Sequence, residues 1–277
     1  MHVSTDTPAP RWRRQIAAGV ATLAILGLVA AAAPALAPYP PAQQDLAADL
    51  AAPDISHPLG RDKLGRDVLS RIIYGARVSL AVGLSAVLLS AGLGVLIGAA
   101  AGFAGGSVDF WVMRLVDILL AFPGILLAIA ITAALGPGLT NVVLALSLIG
   151  WTGYARLVRA EDMAVSARDH VEAARALGVS TPALLRRHVL PLIAAPVMVQ
   201  ATFGMAGAIV AEASLSFLGL GVQAPTPSWG AMVNEGRSFL LVAPHLVLYP
   251  GIAIFVTVLG LNALGDGVRA YLDVRGR

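Results

Sequence analysis

Few side chains in this sequence fall at a spacing that chemistry requires. There is no cysteine, which removes disulfides and thiolate metal sites from the chain. The five histidines, His2, His57, His170, His188 and His245, are scattered, with no pair at metal-ligand spacing on one helix. No Gly-x-x-x-x-Gly-Lys-Ser/Thr phosphate loop is present. The sequence therefore predicts no catalytic residue, no metal site and no cofactor held by this chain. Two features stand out instead. Glu172-Ala173-Ala174, followed by Leu177-Gly178, lies in the only long, charged, helix-prone stretch between two hydrophobic runs. Glu212 lies near the end of such a run, where an ionisable group is costly unless paired or hydrated.

The elements that carry these residues are built for lipid. Of 277 residues, 57% are hydrophobic and 13% charged, where a soluble domain carries about 25% charged residues. Mean hydropathy is +0.79. Aromatics are only 6%, so the apolar content is Ala, Val, Leu, Ile and Gly, the mixture of closely packed membrane helices. Net charge is +3, and every basic residue except Lys63 is arginine. No basic patch interleaves with aromatics, so arginines in loops at a membrane face explain the charge better than nucleic acid does.

A helix needs about 20 apolar residues to cross the hydrocarbon core. Charge-free runs predict six such spans, at 16–33, 78–101, 118–135, 139–157, 189–211 and 247–264. The first is preceded by Arg11, Arg13 and Arg14, and Ala35-Leu36-Ala37 resembles a cleavage site, so a signal peptide competes with a retained helix there. In the second, Gly94, Gly98 and Gly102 share one face, suited to close approach of another helix. Gly136-Pro137-Gly138 divides the third from the fourth. Pro191 and Pro196 open the fifth, and Pro244 and Pro250 the sixth. Trp151, Tyr154 and Trp229 are expected at a membrane–water interface, and Arg114 and Asp117 as anchors or a local ion pair.

Counting arginines places both termini in the cytoplasm, together with the loop holding Arg156, Arg159, Arg168, Arg175, Arg186 and Arg187. The expected organisation is a tail (1–14), a first transmembrane helix (15–38), an extracytoplasmic segment (39–77), a core of five transmembrane helices (78–265) with a cytoplasmic loop at 159–188, and a tail (266–277). Segment 39–77 breaks the rule, since it holds Arg61, Lys63, Arg66, Arg71 and Arg77. They are interleaved with Asp45, Asp49, Asp54, Asp62 and Asp67, and the segment is neutral.

Within the loop, 171–177 is built almost wholly of good helix formers, and Gly178 ends the run. Ser180-Thr181-Pro182 reads as a cap and first turn, and a second short helix continues over 183–188 to Leu190-Pro191. Ala173 and Ala174 leave a shallow surface where another protein can approach, and Glu172 can pair with a partner's basic group or with Arg175. A solvated loop with an incidental alanine run is the competing reading.

Glu172-Ala173-Ala174, Gly178 and Leu190-Pro191 together resemble the EAA loop of bacterial ATP-binding-cassette importer permeases. His188 stands where that pattern has an aliphatic residue, with Val189 beside it. Three further segments narrow the likeness to the C-subunit type of dipeptide, oligopeptide and nickel permeases. They are His57-Pro58-Leu59-Gly60-Arg61-Asp62 continuing to Arg71, Met113-Arg114-Leu115-Val116-Asp117 before Phe122-Pro123, and Ser214 to Gln223 followed by Pro225-Thr226-Pro227-Ser228-Trp229-Gly230. The likeness spans the chain from residue 57 onward.

The resemblance implies an all-α, polytopic membrane helix bundle of the type I importer permease fold, in the bacterial inner membrane. It implies a cytoplasmic coupling helix that seats on an ATPase, with Glu172, Ala173, Ala174, Leu177, Gly178, Leu190 and Pro191 as the coupling residues. The implied partners are a B-type permease, two ATPase subunits or a fused pair carrying ATP and Mg, and an extracytoplasmic substrate-binding protein. The substrate is a dipeptide or oligopeptide, with nickel or another small solute as the alternative. Candidate pathway residues are Glu212, Phe217, Gln223 and Trp229. Glu212 is equally readable as a structural partner of Arg237, and 217–229 as a re-entrant or interfacial hairpin. An intramembrane enzyme would need acids, His or a Ser/Lys pair within its spans, and spans two to four have none. A freestanding secondary transporter would show inverted repeats and midplane charges.

Overall fold

The computed structural model describes residues 11–275. The outer parts of both predicted tails, 1–10 and 276–277, lie outside the described residues, and with them His2 and Arg277. Nine principal helices make up the described chain: α1 (Arg11–Ala31), α2 (Val68–Ala104), α3 (Gly106–Ala121), α4 (Gly124–Leu135), α5 (Leu139–Ser166), α6 (Asp169–Ala176), α7 (Leu190–Phe217), α8 (Trp229–Gly236) and α9 (His245–Arg275). Five helical segments are long and apolar enough to cross a membrane, and the bent pair α3–α4 brings the number to six if it is counted as one broken span.

The structure alters several expected boundaries. Arg11, Arg13 and Arg14 belong to α1 rather than to a tail, and Trp12 packs on Tyr271 of α9 at 5.0 Å between ring centroids. Helix α2 starts ten residues before the predicted span. Segment 39–77 therefore ends at Asp67, whose side chain caps α2 by accepting from the Ser70 N–H at 2.7 Å. The third span is not the straight helix expected. It breaks at Phe122-Pro123 with a bend of 89°, because Pro123 lacks the N–H that α3 needs to continue. The loop helix does not stop at Leu190-Pro191 either. A π turn, Leu185–Val189, feeds straight into α7, giving one apolar segment, Thr181–Phe217.

Close packing follows the small residues. On α2, Gly94, Gly98 and Gly102 all face α5. A side chain at Gly98 would meet Ala155 backbone atoms, its Cα at 2.9 Å, and one at Gly102 would meet the Arg159 carbonyl at 3.2 Å. Helix α1 rests on α9 through a reciprocal pair: Gly19 against Leu264 and the Gly260 carbonyl, Gly260 against Thr22. Without a hydrophobic driving force between helices in lipid, such backbone approach is what van der Waals attraction requires. The core forms where α2, α5, α7 and α9 meet, with Val82, Val142, Val158, Ile209 and Leu261 buried.

Candidate functional site

Helix α2 is 37 residues long, about 55 Å at 1.5 Å per residue. It joins two polar regions at opposite ends of the bundle. At its far end lies the loop carrying α6. Val171 of α6 is fully buried in one apolar cluster with Ala99 of α2, Val158 and Val165 of α5, and Leu184, Val189 and Ile193. The helix is thus anchored on one side only. Its other side presents Glu172, Ala173, Ala176 and Leu177, the last 86% exposed, and Ala174 is half-buried.

Gly178 ends α6 as the composition predicts. It adopts φ +82°, the left-handed region that glycine enters without strain. Its N–H donates to the Arg175 carbonyl at 3.0 Å and the Val179 N–H to the Ala174 carbonyl at 3.2 Å, the two bonds of a Schellman cap. Of the two pairings open to Glu172, the one with Arg175 is not formed. Arg175 lies over the Phe103 ring at 5.5 Å, and among the described residues Glu172 makes no ion pair. Ser180 precedes the next turn but its side chain accepts no capping bond. His170 and His188, far apart in sequence, come to 6.4 Å between ring centroids, while no group of three or more His, Cys, Asp or Glu able to hold a metal exists among the described residues. Leu190 is half-buried and Pro191 exposed in the first turn of α7.

Between the ends, α2, α4, α5 and α7 line a half-open apolar cavity of about 260 Å³. Its polar edges are Ser90, Tyr154 and Gln200, and Gly204, Gly207 and Ala211 make its α7 wall. No charged residue lines it. The sequence reading missed this cavity. Its signal was the run of Gly and Ala through 204–211, which reads equally well as ordinary membrane-helix composition. Trp151 and Tyr154 are buried among the helices, and the Tyr154 hydroxyl donates to the Gln200 carbonyl at 3.4 Å.

None of the four predicted pathway residues lines that cavity. Glu212 is fully buried but accepts hydrogen bonds from Ser79 and Ser216, and it does not meet Arg237, which stacks on Phe217 at 5.1 Å. Trp229 does not line it either. It is 1% exposed and its indole N–H donates to the Ile72 carbonyl at 3.0 Å. Gln223 is exposed and folds back onto the Gly219 and Gly221 carbonyls. Asp117 pairs with Arg156 rather than Arg114, which lies over Phe110.

At the near end of α2, residues 39–67 form a polar cap. Its arginines pair with carboxylates within the protein. Asp62 accepts from Arg66 Nε at 2.6 Å and lies 3.5 Å from Arg71 Nε. Glu235 of α8 accepts from both Arg66 Nη2 and Arg71 Nη2, closing a ring of two guanidinium and two carboxylate groups. Arg61 pairs with Asp45, and His57 Nδ1 meets Asp67 at 2.8 Å. The His57 N–H, 2.6 Å from Asp54, holds that carboxyl below the usual carboxylate range. Glu235→Ala removes the ring's bond to α8 and leaves two arginines that are nearly inaccessible sharing Asp62. It is expected to cost about 3 kcal/mol, the low end for breaking a buried pair. The check is the thermal midpoint of the purified protein, and an unchanged midpoint would show that the ring contributes nothing.

The fold defines the class: a helical membrane permease of the type I importer architecture. Residues 94–277 match the family described as binding-protein-dependent transport system inner membrane component, and the chain belongs to that family. It is 44% identical over 266 residues to the glutathione transport system permease protein GsiD of Escherichia coli O6:K15:H31, covering 95% of this chain and 88% of that one. It is also 44% identical to the protein of that name from Pectobacterium atrosepticum, over 80% of this chain and 73% of the relative. Among solved structures, an amino acid ABC transporter crystallised with histidines covers 72% of this chain and 92% of its own, with TM-score 0.56 and 17% identity, a likeness of fold. The chain is thus a permease subunit of an ATP-binding-cassette importer, a multi-pass protein of the bacterial inner membrane. Its family comprises transport components rather than catalysts.

Proposed function

We propose that this chain is the C-type half of a permease heterodimer that imports short peptides, with glutathione, itself a tripeptide, as the first substrate to test. The observation that carries the substrate is the 44% identity to glutathione permeases over 95% of the chain. On this reading both termini and α6 face the cytoplasm, and the cap at 39–67 faces the binding protein. Helix α6 is the coupling helix: Glu172, Ala173, Ala174 and Leu177 meet the ATPase, and Gly178 fixes the angle at which they are shown. Leu190 and Pro191 join that loop to α7, so displacement of α6 is passed along an unbroken apolar helix to the cavity wall. ATP and Mg act on the ATPase subunits, which bias the permease only through contacts that differ between its states.

The test is uptake into proteoliposomes holding both permeases, the ATPase and the binding protein. Glutathione or a dipeptide should be accumulated in an ATP-dependent manner. Accumulation of chelated nickel, with neither peptide transported, would reassign the substrate while leaving the importer role intact.

A further inference from the structure

The segment between the last two spans, 217–228, shows two anchor points, and both lead to one side chain. At its first end the Val222 N–H donates to Ser216 Oγ at 3.3 Å. At its second end the Trp229 N–H donates to Ser79 Oγ at 3.4 Å. Each of these hydroxyls in turn donates to Glu212, Ser216 at 2.7 Å and Ser79 at 3.3 Å. A serine hydroxyl has one proton and two lone pairs, and each oxygen of the Glu212 carboxyl lies where it can accept one such proton. Glu212 therefore orients both serine protons toward itself and leaves their lone pairs free for the segment's N–H groups. Ser228, fully buried, also faces the carboxyl and caps α8 by accepting from Ala231 N at 3.2 Å.

The surrounding packing is equally committed. Gly75 lies flush against the Trp229 ring, Gly230 against the Ala213 backbone, and Gly221 against Ser216. No ion pair reaches Glu212 among the described residues, so neither a basic side chain nor the cavity explains it.

We propose that Glu212 is a positioning residue: through Ser79 and Ser216 it holds segment 217–228 and α8 as a fixed frame on the outer ends of α2 and α7, so that the segment does not lift as a gate during transport. The inference rests on the importer assignment and is independent of which solute is carried.

The test uses the reconstituted importer complex and two readouts. Hydrogen exchange of 217–228 should be the same with and without ATP. In Glu212→Leu both serine relays lose their acceptor; exchange in that segment should rise, and uptake should fall, each by about tenfold, the equivalent of one or two buried hydrogen bonds. Glu212→Gln keeps a carbonyl acceptor and leaves the serine lone pairs available, so uptake and exchange should stay within about twofold of the parent. Should Glu212→Leu fail to assemble, Ser79→Ala removes one relay alone and should speed exchange around Trp229. The proposal is overturned if the segment's exchange changes with ATP, if Gln is as damaging as Leu, or if exchange is the same in all variants. Gln matching Leu would mean that the charge itself, rather than the hydrogen bonds, is required.

Discussion

Gly178→Pro is expected to lower substrate-stimulated ATPase activity and uptake by at least about tenfold while leaving the spans folded, since a helix cap and its strain together involve about 1–3 kcal/mol at one exposed site. Proline fixes φ near −65°, whereas Gly178 stands at +82°. Proline also lacks the N–H that reaches the Arg175 carbonyl. The Schellman cap is then lost, and α6 keeps its Val171 anchor but not the angle at which Glu172 and Leu177 are shown. Gly178→Ala should be milder, because a left-handed alanine costs only about 1 kcal/mol. Glu172→Lys probes the same surface without touching its geometry, since Glu172 is exposed. ATPase stimulation and uptake measured together separate the cases; unchanged coupling in both Gly178→Pro and Glu172→Lys would rule out α6 as the coupling helix.

The second large effect is expected at the α2–α5 seam. Gly98→Leu should abolish recovery of folded protein, because the atoms in its way are the backbone of Ala155 rather than a side chain that can turn aside. Overpacking of this kind costs about 1–3 kcal/mol where neighbours can shift, and more where they cannot. Gly92→Leu, on the same helix but with open space around it, should leave yield and thermal midpoint nearly unchanged. Equal behaviour of the two variants in detergent-solubilised yield would show that the seam does not depend on close approach.

What the sequence disclosed followed from the physics each signal carries. Charge-free runs reveal burial in lipid, so the long helices were legible. Small residues four apart reveal a permitted approach, so the Gly94–Gly102 face was legible, though not its partner α5. Gly178 was readable because a helix terminus is a local event. The bend at Phe122-Pro123 is hidden in the sequence, because the run 118–135 has the composition of one apolar helix. The errors fell on polar side chains whose partners are remote in sequence. Glu212 depends on Ser79, Asp117 on Arg156, and the cap arginines on Glu235. A charge in a sequence does not name its partner; the fold does. The partner of Trp229 was equally hidden, since its indole N–H reaches the Ile72 carbonyl, 157 residues away.

The ring at the cap also carries a statement about order in time. Glu235 follows Arg66 by 169 residues. As the chain is made, Arg66 and Arg71 emerge long before the carboxylate they will share, and until then Asp62 is the ring's only acid. The rest of α2 and three further spanning segments, α3–α4, α5 and α7, must be synthesised before the last corner arrives. The cap therefore matures late, after most of the bundle exists, and a nascent chain halted before α8 would carry two guanidinium groups still waiting for their partner.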